Sequence, residues 1–453
     1  MDGSNDTGNN SRTTLNFSDN ISTNSIPHGE LLCWGCGEFG QHCHGHSGDV
    51  GFSDAMVDPC SLEGSSGGVS AVACGSSHTV LVTGSGQIYV WGNGNSGQLG
   101  CGDQTSRWKP TQIHLSLRLP PGATIRSVAC GSRHTMVVLT NGHVYSFGNN
   151  FYAQLGYNFR EKNYKENQVE RQCLYRVASI CFQKGVPGRS VFCKRVALEK
   201  TNSQTSAVGV LVSRPVRQVS CGDKHSLFLF DDGDVAAVGN NAHGQIGDGG
   251  HQESVVPKPV ELDHPVREIT CGPNHNLVIT EEGQLYIWGY SKACGRRRHD
   301  VRLPEHIDIK GKEIRQAAGG SSHSLALTVK GKVYSWGFGP DGQLGLGPDL
   351  LTSAKPHRLR HSMLAEGVSR VACGDAFSAA VTVTGRPVHV GSQQSHHRDR
   401  PGLLTPCVRT QVSDLGSREK PDPPRVGDNP QCGVWRLACS SSDRSPRTFT
   451  SLE

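Results

Sequence analysis

Apolar and polar residues alternate along short runs of this chain, and the runs come back at regular distances. SLALT at 324–328 and VYSWG at 333–337 show the period of two that sets one face of a β-strand against a core. Two phrases carry the recurrence. The first reads VACGSSHTVLVT at 72–83, VACGSRHTMVVLT at 128–140, VSCGDKHSLFLF at 219–230 and ITCGPNHNLVIT at 269–280. It continues as AAGGSSHSLALT at 317–328 and VACGDAFSAAVT at 371–382. The second follows each after a glycine-containing turn, as IYVWG, VYSFG, VAAVG, LYIWG, VYSWG and VHVG. Its closing glycines stand at 35, 92, 148, 239, 289, 337 and 391. The glycines of the first phrase, at 75, 131, 222, 272, 320 and 374, repeat the later spacings without a slip.

Strands joined by two- to four-residue glycine turns are hairpins. A third strand precedes the Cys-Gly corner, and a fourth falls near KPTQIHL or PKPVEL. Four-stranded units at roughly 50-residue spacing predict blades around a channel. The expected fold is therefore an all-β, seven-bladed β-propeller of four-stranded blades. Six blades are complete in the pattern. The seventh is expected to close with LLCWG from the N-terminal side and LLTPCVRT, VWRLACSSSD and RTFTSL from the C-terminal side. The expected domains are a polar tail over 1–30, repeats over 31–391 with a basic insertion at about 157–214, and a degenerate seventh blade with a Pro-rich tail over 392–453. Pro446 inside the final run weakens its pairing, because proline cannot donate to a ladder.

The repeat frame also decides the candidate chemistry. CWGCGEFGQHCHGH at 33–46 has the C-x-x-C spacing of a redox or zinc site. In the frame, however, Trp34 and Gly35 are the repeat's own W-G. Gly40 and Gln41 match Gly97 and Gln98, while His42 and Cys43 replace Leu99 and Gly100. The spacing thus arises from tolerant positions around a structural W-G, and no metal site is assigned, although Cys36, Cys43, His44 and His46 remain an open cluster. Cys74, Cys130, Cys221, Cys271 and Cys373 occupy one slot, one per blade, and are not expected to converge on a metal. His78, His134, His225, His275 and His323 recur likewise, with Phe377 in the sixth unit. A histidine that phenylalanine replaces reads as packed at a strand start. Trp34, Trp91, Trp288 and Trp336 read as blade anchors. Glycine-rich loops such as GNGNSGQLG lack the strand–loop–helix context and lysine of a phosphate cradle, so no cofactor is expected.

The combination of C-G-x-x-H-[ST], T-x-x-G-x-[VL]-Y-x-W-G and a G-Q-L-G tetrapeptide (97–100, 342–345, with GQIG at 244–247 and AQLG at 153–156) resembles the repeats of the regulator of chromosome condensation family. The resemblance implies a propeller with one of two occupations. Some members are guanine nucleotide exchange factors for a small GTPase, which act by stabilising the empty GTPase and need no acid–base residue. Others, including propellers of ubiquitin ligases, are interaction platforms.

Composition refines this picture where the chain departs from its own repeat. Residues 157–217 hold 12 Lys/Arg against 4 Asp/Glu, more positive than the +5 of the whole chain. Arg171, Arg189, Lys194 and Arg195 are the partner-binding candidates there. In YSKACGRRRHD, Arg296 and Arg297 are read as replacing the Leu-Gly of the tetrapeptide. With Arg298 they form a second candidate, since guanidinium forks bind carboxylate and phosphate. Residues 1–30 contain Arg12 against Asp2, Asp6, Asp19 and Glu30, so that tail supplies no phosphate contacts and direct nucleic-acid binding is not expected. There is no apolar run of transmembrane length and no signal-peptide core. The expectation is a monomeric, non-catalytic protein–protein interaction propeller, cytoplasmic or also nuclear, with reduced thiols. Small-GTPase exchange is the alternative, with the insertion as its wedge.

Overall fold

The computed structural model describes residue 33 and residues 37–48, 69–113, 122–157, 175–176, 214–347 and 349–391. They form six antiparallel sheets, five of four strands and one of three. Blade one contains β1 (Val69–Cys74), β2 (His78–Thr83), β3 (Ile88–Gly92) and β4 (Arg107–Ile113). The same order repeats in blade two (β5 Ile125–Cys130 to β8 Tyr175–Arg176), blade three (β9 Val216–Cys221 to β12 Ser254–Val260) and blade four (β13 Val266–Cys271 to β16 Val301–Ile307). Blade five runs from β17 (Ile314–Gly319) to β20 (Thr352–Arg358), and blade six from β21 (Val368–Cys373) to β23 (Pro387–Gly391).

Burial follows from this stacking. The second strand of the first five blades is buried at every position, because its faces meet a neighbouring blade or, in blade one, the 37–48 segment on one side. The fourth strands of blades one, three, four and five are less buried than the second strands and lie outermost. Apolar clusters therefore sit between blades: one joins blades one and two, another two and three, a third spans three to five, and a fourth joins five and six.

The two recurring glycines have different physical reasons. The glycine closing each third strand has φ between +98° and +115°, and a Cβ at Gly92 would lie 2.4 Å from the Ser77 carbonyl oxygen. The glycine of the Cys-Gly corner lies under the ring that follows it. A Cβ at Gly222 would stand 2.1 Å from His225 Cε1, and one at Gly374 2.2 Å from Phe377 Cε1.

The blade count corrects the expectation of seven: the described residues form six blades. Corners from all six already surround one axial cavity. The C-terminal residues assigned to a seventh blade lack the corner glycine and the glycine-closed third strand that every observed unit has, and Pro446 interrupts their last run. Those residues, 392–453, lie outside the described residues, as do Leu31, Leu32 and Trp34. Residues 37–48 are described and form turns, with no strand among them.

The insertion is also partly repeat. Tyr175–Arg176 pairs with Tyr145 and Ser146 as the outer strand of blade two. It begins 27 residues after Gly148, whereas Arg107 begins 15 after Gly92.

Candidate protein-binding face

In each meander, the corner between the first and second strands and the loop between the third and fourth lie at the same end of the blade. That end carries the axial cavity, about 100 Å³, lined by Cys74-Gly75, Cys130-Gly131, Cys221-Gly222, Cys271-Gly272, Gly319-Gly320 and Cys373-Gly374. The cysteine slot therefore does converge on the axis. Burial pushes the Cys74 and Cys271 thiols up to about 12 and raises Cys130, Cys221 and Cys373 as well. These are protonated, unreactive thiols. Among the described residues, no three His, Cys, Asp or Glu side chains stand in metal-holding geometry.

The histidines tie neighbouring blades together. Nε2 of His78, His134, His275 and His323 lies 2.8–3.0 Å from the hydroxyl oxygen of Thr135, Ser226, Ser324 and Ser378 in the next blade. His225 meets Asn276 Oδ1 at 2.7 Å in the same way. Each hydroxyl gives its own hydrogen to a carbonyl in the loop of the preceding blade: Thr135 to Gln98, Ser226 to Gln154, Ser324 to Ala293 and Ser378 to Gln343. A hydroxyl has one hydrogen, so the histidine Nε2 must be the donor. Nδ1 of all five is then bare, buried and without a partner, against the corner glycine. Burial holds His78, His134 and His275 near a pKa of about 3, and His225 and His323 near about 4. They are neutral struts.

Carbonyls at the same slot also hold two of the tryptophans, since Gln41 O accepts from Thr79 as well and Gln245 O from Asn276. Trp91 Nε1 donates to Gln41 O at 2.8 Å and Trp288 Nε1 to Gln245 O at 2.9 Å, and Trp91, Trp288 and Trp336 are fully buried. The 37–48 segment thus occupies, against blade one, the place that a preceding blade's tetrapeptide loop occupies elsewhere. His42 is buried as Leu99 is, and Cys43 has φ +59° where Gly100 has +68°. Cys43 turns into the core beside Cys33, with sulfurs 3.8 Å apart, while the rings of His42, His44 and His46 pack on one another.

The arginine loop of blade four differs from the sequence expectation. Ser324 donates to Ala293 O, where blade two uses Gln98 O, so Ala293, Cys294 and Gly295 fill the Gln-Leu-Gly slots. Cys294 is buried and Gly295 has φ +74°, as Leu99 and Gly100 require. Arg296 and Arg297 follow the slot and do not replace it, because the stretch from W-G to the slot is two residues shorter here than in its counterparts. The loop is fixed: Arg296 N donates to Ser291 O at 2.7 Å, and Asp300 accepts from Ser291 N and pairs with His243 at 3.0 Å. Arg296, Arg297 and Arg298 are exposed on it, and Arg296 pairs with Glu305. Arg171, Arg189, Lys194 and Arg195 lie outside the described residues.

Further aromatic–cation contacts share this end. Lys224 Nζ stands 5.6 Å from the Tyr152 ring, Lys292 Nζ 4.8 Å from the Phe338 ring, and Phe151 is 64% exposed. These residues were not singled out from sequence, although Lys224 immediately precedes a repeat histidine and Phe338 immediately follows a W-G.

Comparisons with known proteins agree with this architecture. The RCC1-like domain model matches residues 27–380. Protein RCC2 of Homo sapiens is 31% identical over 237 residues, covering 52% of this chain and 40% of that protein. The ultraviolet-B receptor UVR8 of Arabidopsis thaliana is 29% identical over 257 residues, 51% of this chain and 54% of the receptor. The chain therefore aligns with about half or less of these relatives' length. Prp20p of Saccharomyces cerevisiae, described with its binding to Gsp1p and histones, superposes with a TM-score of 0.64 at 21% identity, covering 84% of this chain and 86% of that one. Human WBSCR16 superposes with a TM-score of 0.61 at 24% identity, over 80% and 88%. The extent of the domain match, together with the latched repeat, places this chain in the RCC1-like family of β-propellers.

Proposed function

We propose that this chain is a regulatory, non-catalytic protein-binding propeller whose docking face is the end bearing the axial cavity. The observation that carries the reading is the blade-four loop, which holds three exposed arginines on a frame anchored by Ala293, Cys294 and Asp300. A preorganised cationic loop loses little entropy on binding, and its forks select acidic surfaces. Arg297→Glu with Arg298→Glu is expected to abolish capture of the partner recovered by the unaltered chain, with the melting temperature unchanged. Undiminished capture would overturn this assignment of the face.

Exchange on a small GTPase is the second reading, favoured by the fold shared with Prp20p, which binds Gsp1p. Release of fluorescent GDP from a panel of small GTPases tests it. A deletion used to probe the insertion must spare Tyr175–Arg176, because those residues form a blade strand. Removing 179–212 meets that requirement. Acceleration of release that this deletion abolishes would support exchange with the insertion as wedge, and no acceleration across the panel would overturn it.

A further inference from the structure

We propose that a cavity at the opposite end of blade five binds a phosphate monoester. The cavity measures about 450 Å³ and is lined by Lys332, Arg358, Arg360, His361 and Ser362, with Leu359 and Leu364 as its apolar part. That size lies within the usual range for small-ligand sites. No aspartate or glutamate lines it, and among the described residues Lys332, Arg358 and Arg360 make no ion pair. The nearby Glu366 carboxylate is engaged by Thr384 Oγ1 at 2.8 Å.

Comparison with blades three and four shows where this charge comes from. Val260 pairs with Val235, Ile307 pairs with Leu285, and Leu359 N donates to Val333 O, so these residues share one register position. The next residue is Glu261 in blade three, Asp308 in blade four and Arg360 in blade five. On the facing strand, the residue before the paired position is Asp234, Gln284 and Lys332 in the same order. Two positions that are acidic or neutral in blades three and four are therefore both cationic here. The connection is also longer: residues 359–367 lead into blade six, against 261–265 and 308–313 in the two preceding crossings. The extra length forms the short 3-10 turn Ser362–Leu364 that walls the cavity.

Three cations without a counter-charge, two of them forked, match a dianion better than a single carboxylate. The site lies at the other end of the blade from the proposed docking face, so it stands or falls independently of that reading. Titration calorimetry on the full chain tests it with inorganic phosphate, glycerol phosphate, and a phosphoserine peptide beside its unphosphorylated form. Binding of the peptide alone would mark a protein-borne phosphate, and binding of glycerol phosphate or inorganic phosphate a free one; either supports the site. Arg360→Glu and Lys332→Glu are expected to weaken binding about tenfold to a hundredfold, and Arg360→Lys by less. Arg297→Glu, at the opposite end, should leave it unchanged. Equal binding of the unphosphorylated peptide, an unaffected Arg360→Glu protein that melts normally, or an equal loss in Arg297→Glu would overturn the proposal, as would no binding of any probe.

Discussion

Mild acid should dissolve the ring of histidine struts. Each of the five has its folded pKa depressed to about 3 or 4 from an ordinary value of about 6.5. Below pH 6.5 the unfolded chain takes up protons at these sites and the native chain does not, so stability falls as pH falls toward the folded values. At pH 5.5 this amounts to about 1 to 2 kcal/mol per histidine, or about 5 to 10 kcal/mol for the five, as much as the whole stability of an ordinary domain. Glu268 acts in the opposite direction. Burial raises its carboxyl to about 7, so its native form takes up a proton first and offsets roughly one histidine. The lowered carboxylates Asp103 and Asp248 titrate below this window and do not contribute to it. The physical block to protonation is Nδ1, which is bare, buried and faces a glycine with no acceptor.

The assay is urea unfolding between pH 7.5 and 5, followed by tryptophan fluorescence. Comparison with His275→Phe isolates one strut, because blade six already carries Phe377 in that slot and Ser324 keeps its bond to Ala293 O. The variant should lose about one proton from the slope of stability against pH. A stability that is flat from pH 7.5 to 5.5, or a His275→Phe slope equal to that of the unaltered chain, would show that the struts are not held neutral by burial.

Four further outcomes are expected. Trp91→Ala should cost about 3 to 5 kcal/mol in thermal unfolding, whereas Trp288→Phe should cost about 1 to 2 kcal/mol more than Trp336→Phe. The reason is that Trp288 Nε1 is bonded to Gln245 O, whereas Trp336 Nε1 is buried without a partner. Gly222→Ala should destabilise by about 1 to 3 kcal/mol or more through overpacking on His225, with partial recovery on adding His225→Ala. Iodoacetamide labelling of the native protein, read by peptide mass spectrometry, should spare Cys74, Cys130, Cys221, Cys271 and Cys373 until urea exposes them.

The blade interior was legible in the sequence because each slot is enforced by contact. The corner glycine must clear a ring, the closing glycine must take a positive φ, and the hydroxyl after the histidine must bridge two blades. The blade count was less legible, since periodicity shows how many units follow the grammar but not whether residues without it supply another. The shift at Arg296 has a similar cause. The latch acceptor is a main-chain carbonyl, so glutamine can become Ala293 without disturbing it, and counting forward from W-G misses a two-residue deletion. The blade-five cavity depends on register between strands and on the length of one crossing, neither of which a single motif displays.

The latches also have a polarity. Every histidine donates forward to the next unit and every hydroxyl or amide donates back to the loop behind, so one blade carries half of two different joints. Along the described chain the series opens at Thr79, which reaches back 3.3 Å to Gln41 O, and stops at Phe377, which has nothing to donate. A unit excised from or spliced into the middle would leave matching halves on both sides, whereas a unit lost from either terminus would expose a half with no mate. The assembly thus resembles a polymer with distinct starting and stopping residues, and growth or loss of units is most easily accommodated in its interior.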